Sequence, residues 1–159
     1  MEVETPFAIR PFEPGDETAF RELNEAWIGN HFVMEQKDRE VLNDPATHIL
    51  QQGGALFMAV QDGVAVGTCA LLAMKDGFEV AKMTVAEKCR GLGIGRNLLA
   101  HAIEYARGMG AKRLYLETNS KLQSAIHVYE SLGFKHLAPE RVIPSPYARA
   151  NVYMELWLG

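Results

Sequence analysis

Residues 83–96 read Met83-Thr84-Val85-Ala86-Glu87-Lys88-Cys89-Arg90-Gly91-Leu92-Gly93-Ile94-Gly95-Arg96, a strand-like run that passes through three alternating glycines into an amphipathic helix. Amides left unpaired at a helix start lie at the positive end of the helix dipole, which suits a phosphate or diphosphate. The glycines let the backbone approach the oxygens, and Arg90 and Arg96 add charge on either side. Two phosphate-binding patterns are excluded by position. A P-loop ends in Gly-Lys-Ser/Thr, whereas Gly95 is followed by Arg96 and Asn97; G-x-G-x-x-G needs glycine at 96 or 98, which hold Arg96 and Leu98. The competing interpretation is a plain strand-to-helix turn that needs backbone freedom and binds nothing.

Other reactive side chains are sparse. His31, His48, His101, His127 and His136 show no metal-ligand spacing, so no metal is expected. His101 and His127 fall on polar helical faces and read as surface residues. Cys89, just before the glycines, has the chemistry of an acyl-accepting nucleophile, but no histidine base lies near it in sequence.

The elements that must position the loop follow from periodicity. A strand is expected over 7–10, then a helix capped by Asp16 and running to about 27, with Phe20, Leu23, Ala26 and Trp27 on its apolar face. A second short helix covers 35–42, and Asp44-Pro45 opens a further turn that Gly53-Gly54 ends. These early helices lack a long regular pattern and are expected to form a flexible cap outside the core. Strands 55–61, 64–74 and 78–85 follow, joined by Asp62-Gly63 and Asp76-Gly77 into an antiparallel meander. The period then switches: Ile94, Leu98, Leu99, Ala102, Ile103 and Ala106 recur at helical spacing until Gly108 and Gly110. A strand over 113–118 leads to Ser120-Lys121-Leu122-Gln123, which has capping-box form. The helix it opens carries Leu122, Ala125, Ile126, Tyr129 and Leu132 on one stripe and stops at Gly133. Strands over 134–137 and about 148–158 complete the chain, and a mixed sheet with helices on both faces buries these surfaces most simply.

Composition narrows the function classes. With 159 residues, 48% hydrophobic and 23% charged, the chain is expected to form one domain with a core that needs no staples. A net charge of −4 is the wrong sign for a phosphate-backbone binder, so no nucleic acid partner is expected. Cys69 and Cys89 are too few for a disulfide framework. The opening residues 1–6 are acidic and lack the apolar core of a signal peptide. The most apolar stretch, 64–74, falls short of the ~18 residues of a membrane span. A cytoplasmic protein that does not engage membranes is therefore expected.

Arg90-Gly91-Leu92-Gly93-Ile94-Gly95 fits the R/Q-x-x-G-x-G/A signature of the GNAT superfamily of acetyl-CoA-dependent N-acetyltransferases. Glu117-Thr118-Asn119 and Ala125-Ile126-His127-Val128-Tyr129-Glu130-Ser131-Leu132-Gly133-Phe134 read like its downstream motif, and the sequence resembles the superfamily from about residue 7 to 158. The resemblance implies an α/β (α+β) fold: a single mixed, mostly antiparallel sheet of about six to seven strands, splayed between the fourth and fifth, with helices on both faces. It also implies one N-acetyltransferase domain over 1–159, with acetyl-CoA as co-substrate.

By the same resemblance, the coenzyme's pantetheine arm pairs with Met83, Thr84 and Val85, and its diphosphate sits on Arg90, Gly91, Leu92, Gly93, Ile94, Gly95 and Arg96. Such an arm wants the amides and carbonyls that an open strand edge offers. A backbone N–H near Met83 or Val85 is the implied oxyanion donor, and Asn119 the implied contact to the pantetheine or a water. Attack of a neutral amine on a thioester needs a base and a proton donor. Tyr129 matches the family's general acid, against a core tyrosine on an apolar stripe. Glu79 shares a strand face with Met83, where some members place the base; the alternative is a solvated glutamate paired with a lysine. The acceptor would be lined by residues 27–37 and 144–149: Trp27, Glu35 holding a cationic group, and Tyr147 and Arg149 gripping a carboxylate. The implied reaction is acetyl transfer by direct attack of a small-molecule or peptide amine, by a monomer or homodimer. The alternatives are a non-catalytic acyl-CoA sensor and, more remotely, a nucleotide binder.

Overall fold

A computed structural model describes residues 6–159, so most of the acidic opening stretch lies outside the described residues. Seven strands form one sheet: β1 (Phe7–Pro11), β2 (Ala55–Gln61), β3 (Val64–Met74), β4 (Gly77–Val85), β5 (Arg113–Thr118), β6 (Lys135–His136) and β7 (Val152–Trp157). Their spatial order is β1-β2-β3-β4-β5-β7-β6, with every neighbouring pair antiparallel except β4–β5. The β2–β3 hairpin turns at Asp62 and Gly63, with φ of 53° and 76°, the paired left-handed geometry that matches strand twist.

Four longer helices cover the sheet: α1 (Glu17–His31), α2 (Gln36–Asn43), α3 (Ile94–Gly108) and α4 (Gln123–Ser131). Strand alternation divides the core. Phe57, Cys69 and Leu71 face α3 and α4, where all six residues of the expected α3 stripe are buried. Leu56, Met58 and Ala70 face the other way, onto Phe20, Ile28, Leu42 and Ile49. The early helices are thus a second half of the core and no flexible cap. Burial of each of these large side chains stabilises by about 1.5–3 kcal/mol. The α1 stripe runs Phe20-Asn24-Ile28, with Ala26 exposed. Asn24 sits in it because its amide donates to Phe20 O at 2.9 Å and to Thr68 Oγ1 at 3.1 Å.

Two local expectations are corrected. Ser120 does not cap α4: the helix starts at Gln123 after Leu122, and the Ser120 amide donates to Asn151 Oδ1 (2.9 Å), tying this turn to the approach to β7. The last strands are shorter than the apolar runs imply, because residues 137–151 form a loop with one 3-10 turn at Pro139–Arg141.

The site is made by how β4 meets β5. Only Gly77–Val80 pair with residues 113–116; past Val80 the strands diverge. The paired end is pinned by Arg113, which donates to Asp76 Oδ2 (2.8 Å) and Glu155 Oε1 (2.9 Å). Here β5 passes so close that a Cβ on Gly77 would lie 1.8 Å from Arg113 O. Gly77→Ala is therefore expected to cost about 3 kcal/mol in urea denaturation; a loss below about 1 kcal/mol would contradict this contact.

Candidate active site

Beyond the last β4–β5 pair, the separating strands open a slot that is part of a cavity of about 820 Å³. Residues 81–85 of β4 form one wall, Leu116 to Asn119 face them, and Tyr129 of α4 and Trp27 of α1 contribute from either side. On its far edge β4 stays paired to β3, with Thr84 opposite Thr68 and Val85 opposite Gly67. The register slips between Thr68 and Ala70 because β4 bulges at Lys82, whose φ is 49°. A left-handed lysine is unfavourable by itself, by about 1–2 kcal/mol. It is held by Thr68 Oγ1, which donates to Lys82 O at 2.7 Å, and by its own ammonium, which reaches Asp38. The bulge re-aims the strand where the slot begins.

At the end of this wall the glycine loop turns into α3. Gly91 and Gly93 have φ of 83° and 79°, values that side-chain-bearing residues rarely adopt, and Gly93 is the residue before the helix. No hydrogen bond among the described residues is donated by the amides of 91–96. This row of unengaged N–H groups at a helix N-terminus fits a diphosphate. Gly91, Gly93, Ile94, Gly95, Arg90 and Arg96 line the cavity; the Leu92 side chain is exposed and does not. Arg96 also donates to Ser131 Oγ at 2.5 Å, which joins α3 to α4. Cys89 is buried, with its thiol toward Gln61 Oε1 at 3.7 Å.

Glu79 and Tyr129 both line this cavity. Tyr129 is packed beside Phe134, yet its hydroxyl makes no hydrogen bond and is not enclosed, so it opens on the cavity. Burial, with a smaller contribution from Cys69, raises its pKa and keeps the phenol protonated. Glu79 lies opposite Tyr115 across the β4–β5 pair, and Glu117, two residues on, shares that face. Burial first, and then the Glu117 charge, push the Glu79 carboxyl up to about 7, against the pull of Lys37 and Lys82. Glu117, not singled out by type or spacing, is fixed by the Tyr115 hydroxyl (2.9 Å) and by Ser145 Oγ (2.6 Å). The Asn119 side chain lines the cavity but is engaged within the fold. Its amide donates to Arg149 O at 2.7 Å and its oxygen accepts from Lys121 N.

At the acceptor end, Trp27, Tyr147 and Arg149 line the cavity; Glu35 does not. Glu35 instead accepts from Ala148 N (3.2 Å) and lies 3.5 Å from Arg149. Arg149 does grip a carboxylate, but the chain's own: Nη1 and Nη2 donate to Asp38 at 2.8 and 2.6 Å. Lys82 Nζ adds a bond to Asp38 at 2.6 Å and lies 3.4 Å from the Tyr147 hydroxyl. Asp38 is 0% exposed and also accepts from Glu35 N at 2.9 Å. Burial works to raise its pKa, but the bonds from Arg149 and Lys82 prevail and hold it far below the usual carboxylate range. Among the described residues no group of three His, Cys, Asp or Glu is placed to hold a metal.

A half-splayed sheet with an amide-lined loop at the end of its fourth strand defines a class, and comparison with known proteins gives the same one. Residues 12–134 match the Acetyltransferase (GNAT) family model, and the chain belongs to that family, whose co-substrate is acetyl-CoA. YjgM, an uncharacterized N-acetyltransferase of Escherichia coli K12, is 38% identical over 91 residues, 55% of this chain and 54% of that protein. The mycothiol acetyltransferase of Thermomonospora curvata is 31% identical over 140 residues, 87% of this chain and 47% of that protein. The chain thus spans about half the length of these curated relatives. A GNAT-family acetyltransferase of Staphylococcus aureus Mu50 shares the fold with a TM-score of 0.87 at 22% identity, over 97% of this chain and 100% of that one. So does YncA of Salmonella typhimurium, solved with its cofactor acetyl-CoA, with a TM-score of 0.77 at 21% identity over 96% and 94% of the two chains. The expected single mixed, mostly antiparallel sheet, splayed between its fourth and fifth strands, is the observed one, and the fourth–fifth pair proves to be parallel.

Proposed function

We propose that this chain, folded as one domain over residues 1–159, transfers the acetyl group of acetyl-CoA to a primary amine of a small molecule or peptide. It works in the cytoplasm as a monomer or homodimer. The observation that carries this reading is the convergence of an unpartnered carboxyl near neutrality, Glu79, and an unbonded phenol, Tyr129, on one slot beside the open edge of β4.

In this reading the thioester supplies the acetyl group, and the chain's residues do the rest. The edge of Met83, Thr84 and Val85 holds the pantetheine arm, while the amides of 91–96, with Arg90 and Arg96, hold the diphosphate. Asn119 sets the loop edge that the arm runs against. Glu79, as carboxylate, takes a proton from the incoming ammonium directly or through a water, leaving the amine neutral. An amide near Met83 or Val85 faces the developing oxyanion. As the intermediate collapses Tyr129 gives its proton to the departing thiolate, and the proton that the nitrogen releases on becoming an amide returns through solvent to the phenolate. A pure sensor has no use for either side chain in the slot.

Screening a panel of amines for release of the coenzyme thiol tests this reading; no release above the amine-free rate with any of them would remove it. The role of Glu79 has its own signature. With its pKa near 7, its carboxylate fraction grows as pH rises, so kcat should climb through about pH 7. In Glu79→Gln that limb should vanish and kcat fall about 100-fold, while any limb belonging to the amine itself remains. An unchanged limb in the variant would assign the base elsewhere.

A further inference from the structure

The acceptor end of the cavity presents two cations, Lys82 and Arg149, whose charge is answered from behind the wall by Asp38. We infer that Asp38 is a built-in carboxylate filling the Lys82–Arg149 clamp, so that the acceptor is a primary amine with no neighbouring carboxylate, carried on an aromatic or apolar group. The inference deepens the acetyl-transfer reading and rests on it.

Three observations lead here. First, the clamp is geometrically full. Both terminal nitrogens of Arg149 bond to Asp38, the Lys82 ammonium bonds to the same carboxylate, and the Glu35 amide completes its coordination. A bidentate arginine–carboxylate pair is the arrangement an amino-acid substrate would otherwise have to make. Second, the pair is shielded from water, with the Lys82 side chain 7% and Asp38 0% exposed, so an incoming carboxylate would have to displace a buried partner.

Third, what the chamber otherwise presents, without an answering cation in hydrogen-bond contact, is acidic and apolar. Glu79 makes no hydrogen bond, and Glu117 stands beyond it with its charge on two hydroxyl donors. Both attract an ammonium and repel a carboxylate. Across from them Trp27 and Phe32 pack their rings 6.0 Å apart, and His31 lies 5.0 Å from Trp27. Of the other nearby cations, Lys37 lies over the Tyr147 ring at 5.7 Å and Lys121 over the Phe32 ring at 5.9 Å, so neither forms a fork. Arg90 and Arg96 belong to the glycine loop.

Matched pairs test the inference on the native protein: phenethylamine against phenylalanine, tyramine against tyrosine, and tryptamine against tryptophan, each followed by release of the coenzyme thiol. The amine without the carboxylate should show at least about a tenfold higher kcat/KM. Equal or reversed values within the pairs overturn the inference and leave acetyl transfer standing. Failure of every amine to release thiol above the amine-free rate overturns both. Asp38→Asn, which keeps the shape and removes the charge, gives a second readout at low temperature, with circular dichroism to show that it folds. Freed of their internal partner, Lys82 and Arg149 should then favour the carboxylated member, narrowing each ratio about tenfold; a folded variant with unchanged ratios overturns the plug.

Discussion

Tyr129→Phe is expected to lower kcat about 100-fold or more while the dissociation constant for acetyl-CoA stays within about twofold, as measured by steady-state turnover and calorimetry. The separation follows from where the hydroxyl is. The ring is buried beside Phe134 and its packing survives the change, whereas the oxygen bonds to nothing in the fold and opens on the slot. Removing it leaves no polar group orphaned, so thermal stability should hold or rise slightly. A kcat within about threefold of the native value would strip Tyr129 of the acid role and return it to the core. A large loss of coenzyme affinity would instead make it a packing residue for the ligand.

Asp38→Ala should cost about 3–5 kcal/mol in urea denaturation at pH 7, as much as truncating a large core side chain. It leaves Lys82 and Arg149 facing each other with no buried anion between them. The pH dependence has a definite sign. The Asp38 carboxyl titrates well below its ordinary range in the folded chain, so its contribution is complete above the usual aspartate pKa. That contribution disappears as pH falls through the depressed folded value. The native protein should therefore lose stability on acidification more steeply than the alanine variant, and the two curves should converge at low pH. A loss below about 1 kcal/mol would show that the lysine and arginine find other partners.

Sequence patterns carried the strands, α3 and the glycine loop because each is written locally, in alternation, helical spacing and turn residues. Glu79 was placed on its strand face by periodicity, and Tyr129 was singled out by resemblance to a family; no local rule puts residues 79 and 129 on one cavity. Asp38 escaped because Gln36-Lys37-Asp38-Arg39-Glu40 has the composition of a solvated helical face. Its partners lie 44 and 111 positions away, with nothing nearby to mark them. Lys82 escaped for a related reason, since a single-residue bulge leaves no mark in hydropathy. The reading of α1 and α2 as a loose cover failed on Asn24. One amide in an otherwise apolar row broke the pattern, although that amide is satisfied inside the core. Ser120 misled in the opposite sense, offering a capping residue in a turn that bonds to Asn151 instead.

Among the described residues, the four rungs that join β4 to β5 are the only backbone ladder between a four-stranded leaf and a three-stranded one. Past those rungs the seam is ready to be laced by something that is not protein. An extended coenzyme arm in that gap would act as a temporary eighth strand, so a loaded molecule is mechanically a different object from an empty one. Amide exchange at residues 81–85 and 117–118 should slow when the gap is filled, far more than exchange at residues 55–61 on the opposite leaf.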